Sequence, residues 1–227
     1  MKINKLRDIW KWGLLISILG FLGCAGPSLY SVNIYYDAEQ AAIPAYLKAD
    51  KASSAIISVA EFTDTRQMDD RLVIGHVVEK DGMKSLVLPK NVKATKAISK
   101  GIKEYLRKAG YKVSDKIVQW DLKEETMPKE DFKILIGGNI DELEISCRRG
   151  FPTNTYTTNM KLTIVFADMA KGKIVYKSKV ESSYSKEHVL FSEERLGEQA
   201  GIALGDAIEK LFEDNAVAQK LKEALAP

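Results

Sequence analysis

The sequence predicts an α+β domain: a mixed β-sheet with a long antiparallel meander and two main helices packed on one face. Three observations carry this. Segments at about 92–109 and 193–213 repeat apolar residues at three- and four-residue steps, which gathers them on one helix face. Between them, stretches near 132–147, 160–167 and 174–184 alternate apolar with polar or small residues, the period of strands with one face on a core. Upstream lie short β-branched runs bounded by turn residues. Strands, one helix, a strand, a three-stranded meander and a second helix fit most simply into two layers.

The chain of 227 residues opens with a leader. Lys2, Lys5, Arg7 and Lys11 make a basic start, tempered by Asp8, and Gly13 to Gly23 run apolar except for Ser17. That is the layout of a secretory signal. A membrane-spanning helix needs roughly 20 apolar residues, so this core is too short for a good span. The leader ends Phe21-Leu22-Gly23-Cys24, which resembles the lipobox of bacterial lipoproteins, in which the cysteine is diacylated and becomes residue one. Phe21 stands where that family usually places Leu. The competing readings are a secretory signal with an incidental cysteine, or an uncleaved anchor. The resemblance implies loss of residues 1–23, lipid on Cys24, and a tether over 24–52 ahead of a single domain at 53–227. Two acyl chains give stable anchoring where one gives only marginal binding. Ala25 in place of Asp after the cysteine implies the outer membrane of a Gram-negative cell, with the domain facing the periplasm.

The leader carries four Lys/Arg and one Asp, so its removal leaves 30 bases against 30 acids and takes the net charge from +3 to 0. The basic balance therefore belongs to the leader, and a nucleic-acid partner is not expected. Two cysteines are too few for a disulfide framework, and Cys147 is expected as a small buried hydrophobe.

In chain order, Val32 to Tyr36 predicts a short strand, and Glu39 to Lys51 a loop or a brief helical turn. Ala55 to Phe62 is a strand, Thr63 to Arg66 a polar turn, and Leu72 to Val78 a second strand. Asp81-Gly82 turns the chain before Leu86 to Leu88. Asn91 is the expected N-cap of the 92–109 helix, and Gly110 its C′ residue. Residues 111–113 return as a strand, and the charged stretch 114–131 is a connection. In the meander, the apolar phase slips between Ile140 and Leu143, which predicts a bulge near Asp141-Glu142. Gly137-Gly138 is a second candidate bulge. Ser192 caps the last long helix, whose Gly197, Gly201 and Gly205 lie along one edge; each costs about 1 kcal/mol relative to Ala, so close backbone approach is expected there. Asp214-Asn215 breaks that helix before a short terminal one.

Val59 to Gly75 with its Phe62-Thr63-Asp64-Thr65-Arg66 turn, Tyr105 to Val113, and the passage from Phe212-Glu213-Asp214 to Leu221 together resemble the YajG-type bacterial lipoproteins. The likeness spans roughly 53–225. It implies an α+β envelope lipoprotein with no assigned activity and no catalytic residues to carry over; the Lys-rich 114–131 connection and Cys147 are not features of that family.

No catalytic or metal-binding set stands out, and no cofactor is expected. His76 and His188 are the two histidines and lack a ligand spacing, and Cys147 lies in a strand pattern rather than at a helix N-terminus. Two candidate partner-binding features remain. Asp64 and Arg66 follow a buried strand, where they either fix a turn by a salt bridge or form a recognition point. Lys93, Lys96, Lys100, Lys103 and Arg107 form a basic stripe opposite the apolar face of the first helix. Such a stripe meets an anionic partner or is simply a wet face. The expected role is a non-enzymatic accessory or scaffold in an envelope assembly, with an envelope protein or peptidoglycan as partner. The alternative is a module that binds cell-wall fragments or lipid between the helices and the meander.

Overall fold

The computed structural model describes residues 28–49 and 55–225; the expected signal and Cys24 lie outside them. The strands are β1 (Leu29–Val32), β2 (Ile56–Val59), β3 (Thr63–Asp64), β4 (Gly75–Val78), β5 (Lys84–Pro89), β6 (Lys112–Val113), β7 (Ile134–Arg148), β8 (Asn154–Asp168) and β9 (Lys173–His188). The α-helices are α1 (Ala94–Lys108), α2 (Glu193–Glu213) and α3 (Asn215–Leu225).

Everything hangs on β7. Along one edge it pairs in parallel with β2 at Ile134–Ile136, with β3 at Asn139–Ile140 and with β4 at Ile145–Arg148. Beyond β4 the sheet continues through β5 to β1, and beyond β2 to β6. Along the other edge β7 pairs antiparallel with β8, and β8 with β9, over nearly their whole lengths. The expected bulge is present: the register slips between Ile140 and Glu142, leaving Asp141 as the extra residue.

Both main helices cover one face of this sheet, as their apolar stripes require. Tyr105 of α1 stacks on Phe212 of α2 at 4.9 Å, and Phe212 meets Phe166 of β8 edge-on at 6.3 Å. The apolar stripe of α2, Leu196, Ala200, Ala203, Leu204, Ala207, Ile208, Leu211 and Phe212, is buried throughout. Gly110 closes α1 at φ 95°, the left-handed region where glycine carries no Cβ penalty.

Several expectations change. Residues 28–49, assigned to the tether, are built into the domain: Val32, Ile34, Tyr36 and Leu47 are buried, and β1 pairs with β5. The strand expected at 32–36 ends at Val32, because Asn33 to Tyr36 leave the sheet to cross α2. They do so at the glycine edge: a Cβ on Gly197 would lie 2.7 Å from the Asn33 carbonyl oxygen, and one on Gly201 2.2 Å from that of Tyr35. Asn91 is not the cap of α1. The Lys90 N–H still bonds the Val32 carbonyl, so Asn91 falls in the turn off the sheet, and Lys93 stands at the N-cap without a side-chain bond. Gly137 and Gly138 mark close packing, not a bulge, since their missing Cβ atoms leave room for the rings of Trp120 and Phe62. The 114–131 connection has a defined job. It lays Val118 and Trp120 on the opposite sheet face, over Leu135, Val165 and Ala167, as a small second core.

Candidate functional site

The Asp64–Arg66 turn starts from β3, which is held to β7 where the bulge re-aims that strand. The Thr65 N–H and hydroxyl both donate to the Ile140 carbonyl, at 3.1 and 3.0 Å. This places Arg66 inside, 5% exposed. Its Nε and Nη2 donate to the two Asp64 carboxylate oxygens at 2.9 and 2.7 Å. Nη1 donates to the carbonyls of Val73 and Leu143, and Nη2 also to that of Arg71. A guanidinium has five N–H donors, and all five are used. Arg66 thus locks the 64–73 loop and has no donor left for a partner.

The loop so fixed forms one wall of an open cleft of about 730 Å³, with the start of α1 as the other. Glu61, Asp64, Asp69, Lys93, Thr95 and Gln119 are among the residues lining it. Glu61 accepts from the Thr95 hydroxyl and the Gln119 amide, each at 3.2 Å. The fold therefore brings Asp64 and Lys93 to one place, which their separation in sequence does not reveal.

The basic stripe is not uniform. Lys100 pairs with Glu104 at 3.5 Å, and Arg107 with Asp115. Lys103 is half-buried and donates to the Lys116 carbonyl at 3.2 Å; burial, helped by the neighbouring Arg107 charge, holds its ammonium below the usual lysine range. Lys93 and Lys96 are exposed and make no ion pair among the described residues. The far half of the stripe is thus engaged with its own fold, and the half beside the cleft is open.

A second cleft of about 830 Å³ lies between residues 31–41 and α2, with Glu193, Glu194, Glu198, Asp206 and Glu209 on its walls and Lys90 at its edge. It was invisible in the sequence, because the 31–41 segment reads there as tether. The space between the helices and the meander is filled by the main core.

The other candidates are engaged within the fold. His76 contacts Glu144 at 2.6 Å, and His188 Nδ1 contacts Arg195 at 2.7 Å. No group of three metal-ligating side chains occurs among the described residues. Cys147 is fully buried, and burial pushes its thiol up to about 11, so no thiolate is available near neutral pH. No helix among the described residues is long and apolar enough to cross a membrane.

No family model matches the sequence, and no curated protein does. Among solved structures, the chain is similar to a Xanthomonas campestris protein of the DUF330 family, with 10% identity and a TM-score of 0.50, over 86% of this chain and 99% of that one. It is also similar to a Helicobacter pylori homolog of a neuraminyllactose-binding hemagglutinin, at 10% identity and TM-score 0.43, over 82% and 96% of the two chains. A minor lipoprotein from Acinetobacter baumannii follows, at 11% identity and TM-score 0.39, over 73% and 94%. At such identities the likeness to the Xanthomonas protein speaks for the fold alone.

Proposed function

We propose that this chain is an envelope lipoprotein of YajG type, held by lipid on Cys24 at the periplasmic face of the outer membrane, and that it serves as a non-enzymatic accessory in an envelope assembly. The observation that carries the reading is Gly23-Cys24 at the end of a short apolar core, four residues ahead of Ser28, where the described domain begins. A lipid anchor at that point leaves almost no spacer, so the domain works close to the bilayer. The filled core between helices and meander favours the accessory role over a ligand pocket there. The partner-facing surface in this reading is the open half of the basic stripe, Lys93 and Lys96, with the adjoining cleft.

The test is fatty-acid labelling of wild type and Cys24→Ser in cells, followed by separation of the membranes and lysine-directed crosslinking in intact envelopes. Label lost in Cys24→Ser, outer-membrane fractionation and a crosslinked partner support the reading. Equal label in both chains sinks the anchor; absence of any partner adduct sinks the accessory role.

A further inference from the structure

The direction of β1 says which end of the domain faces the lipid. β1 runs parallel to β5, β5 antiparallel to β4, and β4 parallel to β7. Residue 28 therefore leaves the sheet towards the end where β7 finishes at Arg148. β9 also finishes there, at His188, paired with Asn154. The four residues from Cys24 to Ser28 reach at most about 14 Å, whereas β7, fifteen residues long, spans about 46 Å at roughly 3.3 Å per step. Only this end lies within reach of lipid on Cys24.

The same end carries large apolar side chains in water. Phe151 in the β7–β8 turn is 94% exposed, Val189 and Leu190 after β9 are each 71%, and Met83 at the tip of the β4–β5 hairpin is 52%. Their backbone is fixed from behind. The Asn154 amide donates to the carbonyls of His188 and Val189, and the Tyr156 hydroxyl to that of Leu190. Arg149 pairs with Glu79 at 2.7 Å and lies over the Phe191 ring at 4.8 Å, while the Tyr30 hydroxyl donates to Glu79. Exposed Lys80, Lys84, Arg148 and Lys186 flank the tip, against exposed Asp81 and Glu187. Apolar side chains on a rigid base, ringed by a small excess of cations, suit the boundary between anionic headgroups and acyl chains.

We propose that this tip, centred on Phe151, Val189 and Leu190, inserts into the bilayer surface and sets the orientation of the domain on the membrane. The inference rests on the lipid anchor at Cys24 for its choice of end.

The test uses the full chain reconstituted in phosphatidylethanolamine–phosphatidylglycerol vesicles whose acyl chains carry bromine, a contact quencher of tryptophan. Phe151→Trp and Val189→Trp place the probe at the tip; Ile117→Trp, at a site 76% exposed near the opposite end, is the control. Emission added over wild type should be quenched several-fold more at 151 and 189 than at 117. Equal quenching at all three sites overturns the proposal, as does an unquenched tip in a chain whose Cys24 takes fatty-acid label; the anchor then stands alone. Emission at 151 that is blue-shifted but unquenched also overturns it, by showing a protein rather than lipid over the patch. Quenching confined to the tip in a chain without label on Cys24 upholds insertion and removes the anchor.

Discussion

Replacing Gly201 by alanine sets two effects against each other. Alanine is the better helix former by about 1 kcal/mol, so on propensity alone the variant is more stable. Against this, the new Cβ would sit 2.2 Å from the Tyr35 carbonyl oxygen, about 1.2 Å short of the 3.4 Å at which ordinary contact begins. The obstacle is backbone, which has no rotamer to change. Either α2 or the 33–36 crossing must move, and overpacking of this kind costs about 1–3 kcal/mol. Near the upper end of that range the net is a loss of about 1–2 kcal/mol, which in a chain of this size lowers Tm by about 2–8 °C. Thermal unfolding by circular dichroism reads it. Gly197→Ala, with its Cβ 2.7 Å from the Asn33 carbonyl oxygen, should fall less, and Gly201→Leu further than either. A Tm for Gly201→Ala equal to or above wild type would refute the account of α2 and the 33–36 segment as a close backbone crossing.

Arg66→Ala leaves Asp64 with only a backbone N–H and three carbonyls without the guanidinium, and should cost on the order of 3–5 kcal/mol, with early proteolysis inside 64–73; Arg66→Lys should rescue only part, because an ammonium cannot reproduce the fork. Survival of the alanine variant at wild-type Tm would contradict this. Cys147 should resist alkylation at mildly alkaline pH until the chain unfolds. Its folded pKa, at about 11, lies above the unfolded value, so its contribution to stability is whole below the ordinary thiol pKa and is lost as pH rises through 11. Lys93→Gln with Lys96→Gln should leave Tm nearly unchanged, since exposed substitutions usually cost under about 0.5 kcal/mol, while pull-down of the partner without crosslinker falls and wild-type capture weakens with salt; undiminished capture would make the stripe a wet face only.

The long periodic elements were legible from sequence because one face of each is buried by a single partner layer. α2 begins at Glu193 after a Ser192 cap whose hydroxyl accepts from the Arg195 N–H at 3.2 Å, as its residues suggest, and the Asp141 slip could be read from the phase of β7. What escaped depended on contacts distant in sequence. The first described residues look like spacer because, among the described residues, their strand pairs with β5 alone, and their close approach to α2 is allowed by glycines some 165 residues away. The cleft beside Lys93 depends on Arg66 folding its loop, and no local pattern records that a charged side chain turns inward. Phe151, Val189 and Leu190 escaped for a different reason: scattered apolar residues in loops become a patch only when β7 and β9 end side by side.

The arrangement of β7 also bears on the order in which the chain acquires structure. Among the described residues β3 pairs with no strand but β7, and Ile57 of β2 meets Ile134 across 77 residues of chain, so β3 and the β7-facing edges of β2 and β4 have no partner until the second half has formed. The β7–β8–β9 meander closes through two adjacent hairpins and needs little loop-closure entropy. It should nucleate first, with the three parallel strands condensing later onto its free edge. A polypeptide emerging N-terminus first from a membrane can close the local β4–β5 hairpin early, but would hold β3 and the β7-facing edges of β2 and β4 unpaired until their partners in β7 had cleared the pore, and pulsed hydrogen exchange should find protection within 134–188 before any within 56–64.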